Sequence, residues 1–327
     1  MTLPPQVQEL LDANPKTPPE HTGTIEEQRQ RIRRLGDATY LRFGRPPEPV
    51  ESVTDHTVPV DGGQITVRAY RASTGRSGTG TALPGHIELH GGGWWLGSID
   101  ELVNEAICRY RCVQAGCVVF AVEYRLAPEH QFPVPLDDAY TAVEWIFAHA
   151  ADLGVDPSNL SIGGSSAGAN LAAAITLKAR DQAGPRLVFQ LLDVPVLDLT
   201  GESMRKAMAT QELAPVAHQQ HEFEIPLLRY LRDPADALGP LASPVHAEDL
   251  RDLPPAHIMT AEYDPLRAEG ELYAERLMQA GVHATVTRHS GAIHGTSFLT
   301  RVWEPAQEWQ REAAERIRQA HLRKEPR

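Results

Sequence analysis

The feature that most restricts the fold of this chain is an alternation running from residue 117 to the end. Short apolar runs at 117–122, 160–162, 187–192, 256–260 and 284–288 read as strands. Between and after them lie helical stretches at about 136–151, 167–180, 266–280 and 304–321. Strands separated by helices cannot pair as hairpins, so each connection crosses over to a parallel neighbour. The expected fold class is α/β, a mostly parallel sheet flanked by helices, with any site at the carboxyl ends of its strands.

Upstream the pattern differs. Residues 1–46 read as helical, with Thr24 and Glu27 spaced as a capping box and Gly44 followed by Pro46 and Pro47 as the stop. This leader reads either as a lid over a site or as a packing arm. Residues 50–60 and 64–71 read as strands joined by an Asp61-Gly62-Gly63 turn, and 72–85 as a surface loop. The strand at 86–89 runs into His90-Gly91-Gly92-Gly93-Trp94-Trp95, and a helix is expected from 99 to 114. Residues 196–241 break the alternation and read as an insertion over the sheet.

Net charge limits the partners. With 43 acidic against 31 basic side chains, the chain carries -12 and offers no concentrated basic stripe for nucleic acid. The basic residues Arg311, Arg316, Arg318, Arg323, Lys324 and Arg327 alternate with Glu312, Glu315 and Glu325, the pattern of a solvated helix face. No apolar run is long enough to span a bilayer, and the N-terminus lacks a basic-then-apolar leader, so a cytoplasmic protein is expected. Three cysteines fit a reducing compartment. Cys108 and Cys112 would share a helix face as small hydrophobes, since no second ligand pair follows at zinc-like spacing. No metal and no cofactor is called for.

The chemistry centres on Gly164-Ser165-Ser166-Ala167-Gly168, between the strand at 160–162 and the helix that follows. A strand feeding a helix directly needs a sharp turn whose tip exposes one side chain and whose flanks are small. Starting the motif at Gly164 fits both glycines and makes Ser166 the nucleophile; starting at Gly163 would put Ala167 where a glycine belongs. A serine hydroxyl needs a base, and the base an acid, following on this scaffold in the order Ser, Asp/Glu, His. Eight of the 14 histidines follow Ser166. His294, in a Gly-bounded loop just past the last strand, is the candidate base, with His289 as runner-up. Asp264, after the strand at 256–260, is the candidate acid, although an acid before Pro265 also suits a helix cap; Glu262 is the alternative. Backbone amides must hold the oxyanion: Ala167 supplies one, and the Gly91–Gly93 run is placed to supply others.

These motifs, together with Tyr124-Arg125-Leu126-Ala127-Pro128-Glu129-His130, Asp264-Pro265-Leu266-Arg267 and Ile293-His294-Gly295, resemble the hormone-sensitive-lipase-like branch of the α/β-hydrolases over residues 55–321. The resemblance implies an eight-stranded sheet with a helical cap, residues 1–46 forming the N-terminal part of that cap. Residues 47–327 would form the hydrolase domain, with the cap insertion at about 196–241. It implies a cofactor-free esterase for short- to medium-chain acyl esters, with oxyanion donors Gly92, Gly93 and Ala167, and Gly91 as a further candidate. His90 and the Tyr124–His130 run would hold the glycine loop. Trp94 and Trp95 are the candidate substrate-binding residues, with Phe223, Leu227, Leu228 and Tyr230 in the insertion. Family habit and the mixed-charge last helix point to a homodimer. Ser165 stands where the family usually carries Asp, Ala169 where glycine is frequent, Asp193 where an apolar residue is usual, and Thr296 where Phe is usual. The same serine would serve a lactone, carbamate or amide. The gibberellin receptors resemble this branch too, as non-catalytic binders, but lack the histidine that is present here at 294.

Overall fold

The computed structural model describes residues 3–13, 23–73, 82–210, 213, 227 and 229–323. It opens with helices α1 (Pro5–Ala13) and α2 (Ile25–Phe43). Thr24 caps α2: its Oγ1 accepts the Glu27 N–H at 3.2 Å, and the Glu27 carboxylate accepts the Thr24 N–H at 2.8 Å. Two donors that a helix start leaves open are thereby satisfied. The Gly44 N–H closes the other end on the Tyr40 carbonyl at 2.7 Å.

Strands β1 (Ser52–Val60) and β2 (Gly63–Arg71) form the expected hairpin. Next come β3 (Leu83–Leu89), α3 (Leu102–Ala115), β4 (Val118–Glu123), α4 (Val134–Ala148), β5 (Val155–Ser165) and α5 (Ala167–Asp181). They are followed by β6 (Phe189–Asp193), α6 (Glu202–Met208), β7 (Ala256–Ala261), α7 (Arg267–Gln279), β8 (Ala284–His289) and α8 (Glu304–Leu322). The eight strands make one sheet in the order β1-β2-β4-β3-β5-β6-β7-β8. Only the β1/β2 and β2/β4 pairs are antiparallel.

Two hydrophobic layers sandwich the sheet. On one face Leu136, Val143, Leu171, Ile175, Tyr273 and Leu277 of α4, α5 and α7 form one apolar layer with Val118, Phe120 and Val122 of β4 and Ala256 and Ile258 of β7. On the other, Cys108, Cys112, Trp309, Ala313 and Ile317 of α3 and α8 pack on Val119, Ala121 and Leu191. Neighbouring residues of β4 thus face opposite layers, and a strand covered on both sides is expected to be a near-continuous apolar run, as Val118 to Val122 are. The cysteines are free and buried within this second layer. Burial pushes the Cys112 thiol up to about 11, which makes it a packing group rather than a ligand.

Some boundaries move. Residues 74–81 of the expected surface loop lie outside the described residues, and Leu83 to Gly85 belong to β3, where Leu83 pairs with Val155 and Gly85 with Val118. The same pairing draws β5 back to Val155. Helix α3 starts at Leu102 rather than 99, because the Ile99 N–H is held by the Glu123 carboxylate at 2.6 Å and the Leu102 N–H by Asp37 at 2.9 Å. Of the 196–241 insertion, the described residues include α6 and a 3₁₀ turn at Pro234–Leu238; Phe223 and Leu228 lie outside them. Among the described residues no helix is long and apolar enough to cross a membrane, and no group of three or more His, Cys, Asp or Glu could hold a metal ion.

Candidate active site

Ser166 is the single residue between β5 and α5. Its backbone sits at φ 54° and ψ -114°. An L-residue held there stores on the order of 1–3 kcal/mol. Neighbours fix it in place: the Ser166 N–H donates to the Asp193 carbonyl at 2.8 Å, and the Ser166 carbonyl accepts the Asn170 N–H at 3.0 Å. The turn also needs Gly168, where a Cβ would run into the backbone carbonyls of Leu89 and His90. Ser165 lies back in β5, paired with Asp193. Ser166, not Ser165, therefore occupies the tip.

His294 sits in the loop after β8. Its Nε2 is 3.0 Å from Ser166 Oγ and its Nδ1 is 2.7 Å from Asp264 Oδ2. Asp264, just past β7, is 2% exposed. Its Oδ1 accepts the Leu266 N–H at 2.9 Å. One carboxylate thus performs both roles the sequence leaves open, capping the turn into α7 and binding the imidazole. An Nδ1–H donated to Asp264 fixes the tautomer that leaves the Nε2 lone pair facing the serine hydroxyl.

The alternative residues do other things. Glu262 accepts the Ser290 hydroxyl at 2.8 Å and the Gly291 N–H at 2.6 Å, securing the start of the His294 loop. His289 stacks on Trp309 with ring centres 3.7 Å apart, and burial pushes its pKa down to about 4. A second serine–histidine contact occurs midway along β5, where Ser161 Oγ lies 2.9 Å from His321 Nε2 and 2.8 Å from His86 Nδ1. Ser161 is 0% exposed beneath α8, so no substrate reaches it and the group is a buried polar network.

The glycine loop passes directly beside the nucleophile: a Cβ on Gly91 would lie 3.0 Å from the Ser165 carbonyl and 3.6 Å from Ser166 Cβ. Gly92 adopts φ 117°, a conformation that only glycine takes readily. His90 braces the loop from below. Its Nδ1 lies 2.8 Å from the Gly91 carbonyl, and its ring stacks on Tyr124, whose hydroxyl donates to the His90 carbonyl at 2.7 Å. Arg125 is clamped by the buried Asp138 at 2.6 Å, and the Ala127 N–H donates to the Trp94 carbonyl at 2.9 Å. Arg29 of α2 reaches over to the carbonyls of Trp95 and Ala127 at 2.8 and 2.7 Å, tying the N-terminal helices to this loop. Trp94 and Trp95 are 1% and 4% exposed. Trp94 stacks on Tyr230 with centres 4.3 Å apart, and the Arg229 guanidinium lies 3.7 Å over Trp95.

Sequence reasoning did not anticipate Arg29, Arg111 or Trp309. Arg111 is buried in α3 and ion-paired to Glu88. Trp309 donates Nε1–H to Asp193 at 2.9 Å, providing the partner that a carboxylate at a strand end requires. The one available signal was a charged residue at an otherwise apolar helix position.

Comparison with known proteins agrees with this fold. A family profile described as alpha/beta hydrolase fold matches residues 86–298. The chain is 37% identical over 275 residues to an arylesterase of Saccharolobus solfataricus, covering 83% of each chain. It is 37% identical over 298 residues to the carboxylesterase NlhH of Mycobacterium tuberculosis, covering 89% of this chain and 88% of that one. Among solved structures, a hyperthermophilic esterase from the archaeon Pyrobaculum calidifontis superposes with a TM-score of 0.86 at 35% identity, covering 99% of this chain and 100% of the other.

Proposed function

The chain belongs to the α/β-hydrolase fold family, and from that premise we propose that it is a carboxylesterase working through Ser166, His294 and Asp264. The observation that carries the reading is the unbroken hydrogen-bonded run from Ser166 Oγ through both nitrogens of His294 to the buried Asp264. Ser166 attacks the ester carbonyl while His294 Nε2 takes its proton. Asp264 keeps the ring in the accepting tautomer and stabilises the imidazolium. Charge developing on the carbonyl oxygen meets the backbone amides of Gly92, Gly93 and Ala167, with Gly91 beside them; such amides are aligned before reaction and need not reorganise. His294 then protonates the leaving alcohol, and water repeats the cycle on the acyl-enzyme.

The substrate class is a small ester with a short- to medium-length acyl chain. Relatives named as arylesterase and carboxylesterase support an ester substrate. Residues 1–46 and about 196–241 form the cap over the 47–327 domain; the Arg29 contacts to the glycine loop support this division. Trp94 and Trp95 shape the pocket by seating the cap on that loop. The free, buried thiols support a cytoplasmic enzyme, and we extend the reading to a homodimer. The test is Ser166→Ala assayed on p-nitrophenyl butyrate: turnover falls by about 10⁶-fold. Retention of the wild-type rate overturns the assignment. A panel of p-nitrophenyl esters of rising length then fixes the acyl preference.

A further inference from the structure

The strand end beside the nucleophile carries an acid that the mechanism above leaves unused. Asp193 closes β6 in register with Ser165, and its carbonyl holds the Ser166 N–H at 2.8 Å. Phe189 and Leu191 of the same strand pack into the layer under α3 and α8. By the two-residue repeat of a strand, Asp193 points there too. Its Oδ1 accepts Trp309 Nε1–H at 2.9 Å, while its Oδ2 has no hydrogen-bond partner among the described residues, although the residue is 1% exposed. A buried carboxylate oxygen left without a donor is costly, so a compensating charge is expected nearby.

Three charged or titratable groups act on it through space: Arg111 from α3, Glu88 from β3 and His294 from the loop after β8. Burial pushes the Asp193 carboxyl up to about 6; Arg111, the Trp309 hydrogen bond and His294 favour its anion, and Glu88 opposes it. Arg111, shared with Glu88, is the standing cation that favours the Asp193 anion. A second cation arises only during turnover, when His294 holds the proton of Ser166.

We propose that Asp193 is a positioning residue of the reaction, a second buried carboxylate behind the nucleophile that steadies the His294 imidazolium as it forms. The proposal rests on reading Ser166 and His294 as nucleophile and base. Asp264 grips the ring directly, and Asp193 acts through space across the strand junction. Trp309 fixes one carboxylate oxygen, so the negative charge is in place before the proton moves.

Removing that charge has a signed consequence. The imidazolium becomes less favoured, and the acid limb of kcat/KM moves to lower pH by about half to one unit, less than for a directly contacting charge. The plateau of kcat/KM falls by about 3- to 10-fold, since one pKa unit corresponds to tenfold. A residue that only packs would lower stability and leave the limb where it is.

The experiment measures kcat/KM for p-nitrophenyl butyrate from about pH 5 to 9 in wild type, Asp193→Asn and Trp309→Phe, with Ser166→Ala alongside and a urea melt for each. Asp193→Asn is expected to shift the limb downward. Trp309→Phe keeps the carboxylate but removes its donor, so the limb moves the same way and the deficit shrinks at alkaline pH as Asp193 ionises. A limb that stays put in the folded variants overturns the proposal. If Asp193→Asn fails to fold, Trp309→Phe alone decides. Activity in Ser166→Ala would instead sink the underlying catalytic reading, so the two failures are distinguishable.

Discussion

Replacing Asp264 by Asn should disable the enzyme while preserving its shape. The carboxylate makes two hydrogen bonds as an acceptor, Oδ2 to His294 Nδ1 at 2.7 Å and Oδ1 to the Leu266 N–H at 2.9 Å. An amide has one acceptor end only. If its oxygen stays on Leu266, its NH₂ faces His294 Nδ1 and forces the proton to Nε2, where the ring donates to Ser166 instead of accepting from it. If it turns over, the NH₂ meets the Leu266 N–H, and a backbone donor is stranded in a site 2% exposed. The first orientation keeps the turn intact and should dominate. The same change in a Ser-His-Asp triad lowers kcat by about 10⁴, and a comparable loss is expected here, about 5.4 kcal/mol of barrier. KM should change little, because the lost interaction matters only once the imidazolium forms. Folding stability should fall by about 1–2 kcal/mol, the scale of one charged hydrogen bond weakened in a buried site. Steady-state kinetics on p-nitrophenyl butyrate and a urea melt measure both. A folded Asp264→Asn with kcat within tenfold of wild type would refute the argument that Asp264 sets the tautomer.

The remaining expectations concern the turn and the acid response of the fold. Gly168→Ala places a methyl against the Leu89 and His90 carbonyls, which are backbone and cannot swing aside; a thermal melt should show a loss of about 1–3 kcal/mol or more, with lower kcat because the Ala167 amide moves. His289 and His321 are held by burial at about 4 and about 3 against an ordinary 6.5, and Glu312 at about 2 against 4.5, held there by its hydrogen bonds to His257, Thr287 and Arg316. All three folded-state values are depressed, so the stability they contribute is complete above the ordinary values and drains away as pH falls through the shifted ones. Urea midpoints should therefore decline from about pH 6.5 downward, and His289→Gln or His321→Gln should flatten the decline between about pH 6.5 and 4; an unchanged slope would count against these sites.

Much of this was legible in the residues because the chemistry demands chain order. A strand–Ser–helix junction, an acid after a later strand and a histidine after the last one left few candidates, and Ser166, Asp264 and His294 are the three that the fold brings within hydrogen-bonding distance. The sheet was legible for a related reason: strands covered on both faces are mostly apolar and contrast with the helices between them. Residues joined only by tertiary packing were not legible. Trp309 meets Asp193 across 116 positions and Arg29 meets Trp95 across 66, and no local pattern encodes either contact. The position of Trp94 was obscured for the same reason, since its stacking partner Tyr230 arrives from the far side of the sheet sequence. Helix α3 began late because side chains from elsewhere, Glu123 and Asp37, captured amides that local propensity would have wound into the helix.

The central claim is that Ser166, and neither its neighbour Ser165 nor the histidine-bonded Ser161, is the nucleophile. Reaction with a p-nitrophenyl phosphonate, proteolysis and mass spectrometry test it most directly, because a phosphonate traps whichever hydroxyl the base activates. The expected result is one phosphonyl group per chain, on Ser166, released with one equivalent of p-nitrophenol and absent from His294→Ala. A label on Ser161, on Ser165 or on no serine would contradict the account.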